Sequence, residues 1–281
     1  MNELGTHILL IDCQDSQGLI YSVTKKLVDY SCNITSNDEY VDKSNNHFYM
    51  RTEFSGNISE PELMHELSKS LPTGSNIKLM LKQKKKIVVM ATKEHHCLAD
   101  ILLKNHFNEL NAEILCVIAN HNNLQDLVEK FNIPFCCISH KNLSREEHDE
   151  LLIEKIKTFS PDYIILAKYM RILSPKFVET FKGLIINIHH SFLPAFIGAN
   201  PYLQAYERGV KIIGATGHFV TNDLDEGPII AQSVIEINHT LSVEGIINRG
   251  REIEKSVLNK SMRLAFEDRI FVCDNKTIIF E

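Results

Sequence analysis

From residue 87 to residue 167 the chain alternates short apolar runs with longer stretches of helical period, always in the same order. Apolar runs at 87–91, 113–118, 135–138 and 163–167 are separated by helically spaced segments at 96–105, 124–131 and 144–159. Short apolar runs between helices are what strands buried on both faces look like. The alternation therefore predicts an α/β unit with a doubly wound, mostly parallel sheet and helices on both faces. Ligands of such sheets bind beyond the carboxyl ends of the strands, which says where polar residues matter. Further on stand strand candidates at 212–220 and 229–235, a long helix over 242–267, and a terminal pair, RIFVC and KTIIF, joined by Asp274-Asn275.

The first eighty residues have a different rhythm, switching between periods of two and 3.6. A strand at 7–12 leads through Asp15-Ser16-Gln17-Gly18 into a helix carrying Leu19, Ile20, Val23, Leu27 and Val28. Strands at 34–41 and 47–54 flank the hairpin signal Asp42-Lys43-Ser44-Asn45-Asn46. Ser59 is positioned to cap a helix reaching 71, and 77–81 closes the unit. The order βαββαβ is ferredoxin-like. The run Lys82-Gln83-Lys84-Lys85-Lys86 reads as a solvated linker. This divides the chain into a small domain at 1–82, a linker at 83–86 and a larger domain at 87–281.

Thirty basic against thirty-six acidic residues give a formal charge of −6, which argues against nucleic acid as a partner. The seven cysteines contain no CxxC pair, so neither a disulfide framework nor a zinc cage is expected. A reducing cytoplasm fits. No stretch approaches the ~20 apolar residues of a membrane span, so no membrane is expected as a partner.

Chemistry concentrates in two places. Leu184-Ile185-Ile186-Asn187-Ile188-His189-His190 is an apolar strand whose end turns polar. Alternation puts Asn187 and His189 on one face. A core amide and imidazole satisfied by backbone is one reading, and a site is the other. The loop 191–202, with Gly198 and two prolines, favours a site wall. The second cluster is 214–228, where Asp223, Asp225 and Glu226 crowd one turn. A carboxylate beside an imidazole supplies proton transfer at a carbonyl centre, and a donor amide stabilises the oxyanion. Metal binding by His189-His190 is not expected, because neighbours on a strand point to opposite faces. His95-His96-Cys97 is read as capping and packing, in preference to a nucleophile or metal site.

The string NIHHSFLPAF with GANPYLQAYERGV after it, and GATGHFVTNDLDEGPII further on, resembles the folate-dependent formyltransferase family. The mark of that family is Asn-x-His, a Ser/Leu/Pro loop and a later aspartate. The likeness extends over 86–281 and includes KYMRIL at 168–173. It implies a Rossmann-like catalytic domain in which Asn187, His189 and Asp225 hold the catalytic positions. His218 would border the site. Tyr169, Met170, Arg171, Leu173, Val220 and Asp223 would line the pocket for the folate.

The acceptor is decided elsewhere. The family's ribonucleotide transformylases, which this chain resembles in fold, have a Gly/Ser/Asn-rich loop at the first β–α junction, where backbone amides cradle a phosphate. The junction here, Ala91-Thr92-Lys93-Glu94-His95-His96-Cys97, has no glycine. KEHHCLAD, HHSFLP and LDEGPII look like the branch whose acceptor is water. The resemblance therefore implies hydrolysis of 10-formyltetrahydrofolate to formate and tetrahydrofolate, with the folate as substrate, no cofactor, and formate of the kind purine synthesis consumes. A ribonucleotide transformylase and a catalytically silent, amino-acid-sensing folate binder are the alternatives. The N-terminal unit resembles an ACT domain, which implies oligomerisation and an amino-acid site at Asp15, Gly18, Leu19, Asn33 and Ile34, with glycine or methionine as effector. Two positions depart from the branch: Asn200, where arginine is usual, and Leu203, where histidine is usual.

Overall fold

The computed structural model describes residues 5–194 and 201–281. Two compact units emerge: one from Met1–Gln83 with Glu267–Phe271 and Ile279–Glu281, the other from Lys84–Phe266 with Val272–Ile278.

In the first unit, strands β1 (Thr6–Gln14), β2 (Asn33–Asp42), β3 (His47–Ser55) and β4 (Asn76–Leu81) form an antiparallel sheet in the order β2-β3-β1-β4. Helices α1 (Leu19–Asp29) and α2 (Glu60–Ser70) cover one face. The unit is the ferredoxin-like βαββαβ arrangement. Its core is made by alternate residues of the two central strands, Leu9, Ile11, Met50 and Phe54, packed against Leu19, Val23 and Leu27 of α1 and Leu63 and Leu67 of α2. The buried stripe of α1 is narrower than the sequence reading, since Ile20 and Val28 are exposed. Ser59 occupies the N-cap of α2, but its side chain makes no capping bond, and Pro61 supplies the start signal instead.

The second unit is built on seven strands: β5 (Lys85–Ala91), β6 (Ala112–Ala119), β7 (Phe135–Cys137), β8 (Tyr163–Leu166), β9 (Ile185–His189), β10 (Ile212–Phe219) and β11 (Ile229–Glu236). Their order is β11-β10-β9-β8-β5-β6-β7. The strands from β5 to β9 are parallel, and β10 and β11 add an antiparallel edge. Helices α3 (His96–His106), α4 (Gln125–Glu129), α5 (Arg145–Lys157), α6 (Pro175–Thr180), α7 (Pro201–Arg208) and α8 (Val243–Phe266) complete it. α5 opens with a full capping box, in which Ser144 and Glu147 satisfy each other's backbone amides. Val88, Met90, Ile164 and Ile185 of the sheet pack against Leu152 and Ile156 of α5 and Phe177 of α6. Strands β12 (Ile270–Cys273) and β13 (Lys276–Ile279) pair with each other as a separate hairpin. Because β5 leads to β6 on one side and β8 on the other, the crevice at the carboxyl ends of β5 and β8 is the switch point of the sheet.

Candidate active site

Asn187 and His189 lie in β9, two residues apart on one face. β10 runs antiparallel beside β9, with His218 directly opposite Asn187 and Thr216 opposite His189. The pairing brings His218 Nε2 within 3.2 Å of Asn187 Nδ2. His218 Nδ1 donates to the Phe219 carbonyl at 2.9 Å, so Nδ1 carries the proton. Burial holds this imidazole below its ordinary range, hence neutral, with a lone pair on Nε2. The Asn187 atom facing it must then be the donating NH2 group, which settles which way the amide points.

The loop after β10 turns back to bring Asp225 to the same place. Asp225 adopts a left-handed φ of 58° and accepts from His189 Nδ1 at 3.1 Å. Its other oxygen is 3.7 Å from His218 Nε2, too far for a hydrogen bond. Burial works to raise the Asp225 carboxyl, but the hydrogen bond from His189 and the nearby imidazoles outweigh it and hold the group below its ordinary range. The aspartate is therefore ionised at neutral pH. With Nδ1 committed, His189 Nε2 is buried with no partner among the described residues. An acid–base nitrogen, a carboxylate and an oriented amide donor thus converge.

These groups open on a cavity of about 390 Å³, within the range of small-molecule sites. Its walls are Lys168–Leu173 after β8 and Val220–Asp225 after β10. All ten residues read from the sequence as catalytic or substrate-binding line it: Asn187, His189, Asp225, Tyr169, Met170, Arg171, Leu173, His218, Val220 and Asp223. Tyr169 and Leu173 are buried and Met170 is exposed. Arg171 Nε is buried without a partner among the described residues. The Met170 amide donates to Thr92 Oγ1 at 3.0 Å, tying this wall to the end of β5.

Sequence reasoning passed over a second polar group. Glu254 of α8 is 1 % exposed and accepts from His96 Nε2 at 2.8 Å, from Lys168 Nζ at 3.3 Å and from the Tyr202 hydroxyl. A signal was present: Glu254 falls in the apolar stripe of α8, next to Ile253 and one turn before Val257 and Leu258, where an acid is out of place. His96, Cys97 and Glu254 could together ligate a cation. However, the Lys168 ammonium already supplies the positive charge there, and burial raises the Cys97 thiol, which keeps it protonated. His95 sits at the N-cap of α3 without a side-chain cap, so packing rather than capping accounts for this motif.

The remaining sequence-derived positions disperse. Pro201 and Tyr202 belong to α7, so the loop after β9 is shorter than 191–202; Asn200 lies outside the described residues. Leu203 is exposed on α7 and does not line the cavity. In the first unit, Asp15, Gly18 and Leu19 follow the end of β1, where Gln14 pairs with His47. Asn33 begins β2 opposite Ser55, whose other partner is Thr6 at the start of β1. Those two groups sit at opposite ends of β1, which spans about 27 Å. A single chain does not bring them together.

The Formyl transferase family model matches residues 85–262, the whole stretch that carries the cavity. The chain belongs to the formyl transferase family. It is 55 % identical to a formyltetrahydrofolate deformylase from Haemophilus influenzae over 272 residues, covering 97 % of this chain and 98 % of that one. A formyltetrahydrofolate deformylase structure from Pseudomonas syringae pv. tomato superposes with a TM-score of 0.95 at 37 % identity, over 100 % of this chain and 96 % of that one. A glycinamide ribonucleotide transformylase 1 from Symbiobacterium toebii gives 0.68 at 28 % identity, covering 75 % of this chain and all of the other.

Proposed function

We propose that this member of the family hydrolyses 10-formyltetrahydrofolate to formate and tetrahydrofolate. The observation that carries the reading is that the deformylases match both units of the chain, whereas the transformylase covers three quarters of it. The β5–α3 junction supports water as acceptor. Glu94 stands just before the N-cap of α3, paired to Arg251 at 3.1 Å, so a bulky ion pair occupies the place where bare backbone amides at a helix N-terminus would cradle a phosphate.

Water attacks the formyl carbon, and its proton passes to the pair formed by Asp225 and His189. The oriented N–H of Asn187 and a proton on His189 Nε2 stabilise the oxyanion that develops. As the bond from carbon to N10 breaks, the pair returns a proton to N10, and formate and tetrahydrofolate leave. Every step is proton transfer or charge stabilisation that these three side chains perform, so the folate enters as substrate and no further cofactor is required.

The N-terminal unit is read as an ACT-type regulatory domain answering to glycine or methionine. Since Asp15, Gly18 and Leu19 lie at the opposite end of the sheet from Asn33 and Ile34, a site using both sets needs a second copy of the chain. Exposed Ile20, Tyr21 and Val28 on α1 are consistent with such pairing.

Incubating the purified protein with 10-formyltetrahydrofolate and no acceptor, and assaying formate, tests the central reading. Stoichiometric formate is expected. Turnover that begins only when glycinamide ribonucleotide is added selects the transformylase, and tight folate binding without turnover selects the silent binder.

A further inference from the structure

The hydrolysis just described makes no use of the Lys168–Glu254 cluster, although that cluster adjoins the reacting groups. Burying an ammonium and a carboxylate is unfavourable unless both are well paired, and apolar side chains of similar volume are often no less stable. Here the pair is kept, with two further donors on the same carboxylate. Lys168 also adopts a φ of 60°, a left-handed conformation that a long side chain rarely takes. That backbone turn, just past the end of β8, sets the side chain into the cavity wall, 8 % exposed.

His190 connects the two groups. Its ring stacks on His189 with centroids 5.2 Å apart and lies 5.9 Å from the ring of Tyr202, whose hydroxyl reaches Glu254. Burial and the neighbouring Lys168 charge push the His190 imidazole down to about 4, so it stays neutral between the ion pair and the catalytic pair. The segments 169–173 and 220–225 line the same cavity as Lys168 and His190, and His190 stacks on the reacting His189.

Hydrolysis and formyl transfer differ only in the nucleophile. An amine must bring its nitrogen to within about 3–3.5 Å of the formyl carbon with a carbon substituent behind it, whereas water needs room for a single heavy atom. We propose that Lys168, clamped by Glu254, is a specificity-determining positioning residue that fills the acceptor side of the cavity and reserves it for water. The proposal rests on the hydrolytic reading above. Removing the side chain opens that side to a small primary amine: a new bond forms from the amine nitrogen to the formyl carbon, and the bond to N10 breaks. The proton lost by the amine travels through the Asp225–His189 pair to N10, giving an N-formyl amine and tetrahydrofolate.

The test uses full-length protein, 10-formyltetrahydrofolate and glycinamide, with formate and N-formylglycinamide quantified by mass spectrometry. Wild type is expected to give formate almost alone. Lys168→Ala should raise the ratio of N-formylglycinamide to formate by about tenfold or more, the size of effect that pocket volume can supply. Glu254→Gln, which keeps the cluster's volume and removes the clamping charge, should shift the ratio in the same direction, and it decides the matter alone if the alanine variant does not fold. Folded variants with the wild-type ratio overturn the proposal and leave hydrolysis standing. Wild type that releases no formate without amine removes the hydrolytic reading itself.

Discussion

Asp225 holds a carboxylate against an imidazole in the cavity wall, and its lowered pKa keeps it in the basic form throughout the physiological range. Asp225→Asn keeps the shape but removes the base, so formate release should fall by about 10²–10⁴-fold, the usual contribution of general acid–base catalysis. Normal release from that variant would remove Asp225 from the mechanism. Glu254 is a second residue-scale test. Burial raises its carboxyl, but His96, Lys168 and Tyr202 together bring it down to about 2 from an ordinary 4.5. A carboxylate lowered on folding adds stability that is present above pH 4.5 and disappears as the pH falls toward 2. The difference corresponds to at most about 3 kcal/mol. Chemical denaturation of wild type and Glu254→Gln should therefore differ most near neutrality and converge in acid; a gap independent of pH would contradict the assignment.

At the scale of elements, the site depends on close approaches that only glycine allows. A Cβ on Gly250 would overlap the ring of Tyr202, where α7 crosses α8. Gly250→Ala gains about 1 kcal/mol of helix propensity, but overpacking of a rigid ring costs up to about 3 kcal/mol, so net destabilisation of about 1–2 kcal/mol is expected in urea unfolding. Gly227 abuts the Phe219 carbonyl that fixes the His218 tautomer. Gly227→Ala should therefore lower kcat by about tenfold or more through misdirected Asn187, with a smaller effect on folate binding. The βαβ alternation and the ferredoxin-like order were legible because strands buried on both faces and amphipathic helices leave unmistakable periods. The six-residue α6 was not read from the sequence, because it is too short to show one. The loop reading of 191–202 overlaps the first two residues of α7, although Pro201 at its first position is a helix-start signal.

At the scale of the whole molecule, the last residues of the chain serve its first unit. Arg51 of β3 is fully buried, donating to the Asp268 carbonyl at 3.0 Å and the Glu267 carbonyl at 2.8 Å, with Glu53 at 2.5 Å. Deleting residues 267–281 leaves that guanidinium short of two charge-assisted bonds, a loss of about 3 kcal/mol or more. The first unit should then unfold at distinctly lower temperature in calorimetry, and an unchanged thermogram would refute the bridge. Nothing in the linear pattern announced it, since RIFVC and KTIIF read only as a terminal strand pair within the larger domain at 87–281. Sequence alone marked the candidates for proton transfer: spacing put Asn187 and His189 on one strand face and three acids in one turn, and the family resemblance singled out Asp225 among them. Tertiary structure alone decided the rest. The register of β10 on β9 sets His218 against Asn187, and the meeting of β8, α3, α7 and α8 assembles Lys168, His96, Tyr202 and Glu254. A contact between residues far apart in the chain has no period along it, and the charge on a buried group depends on neighbours that only folding supplies.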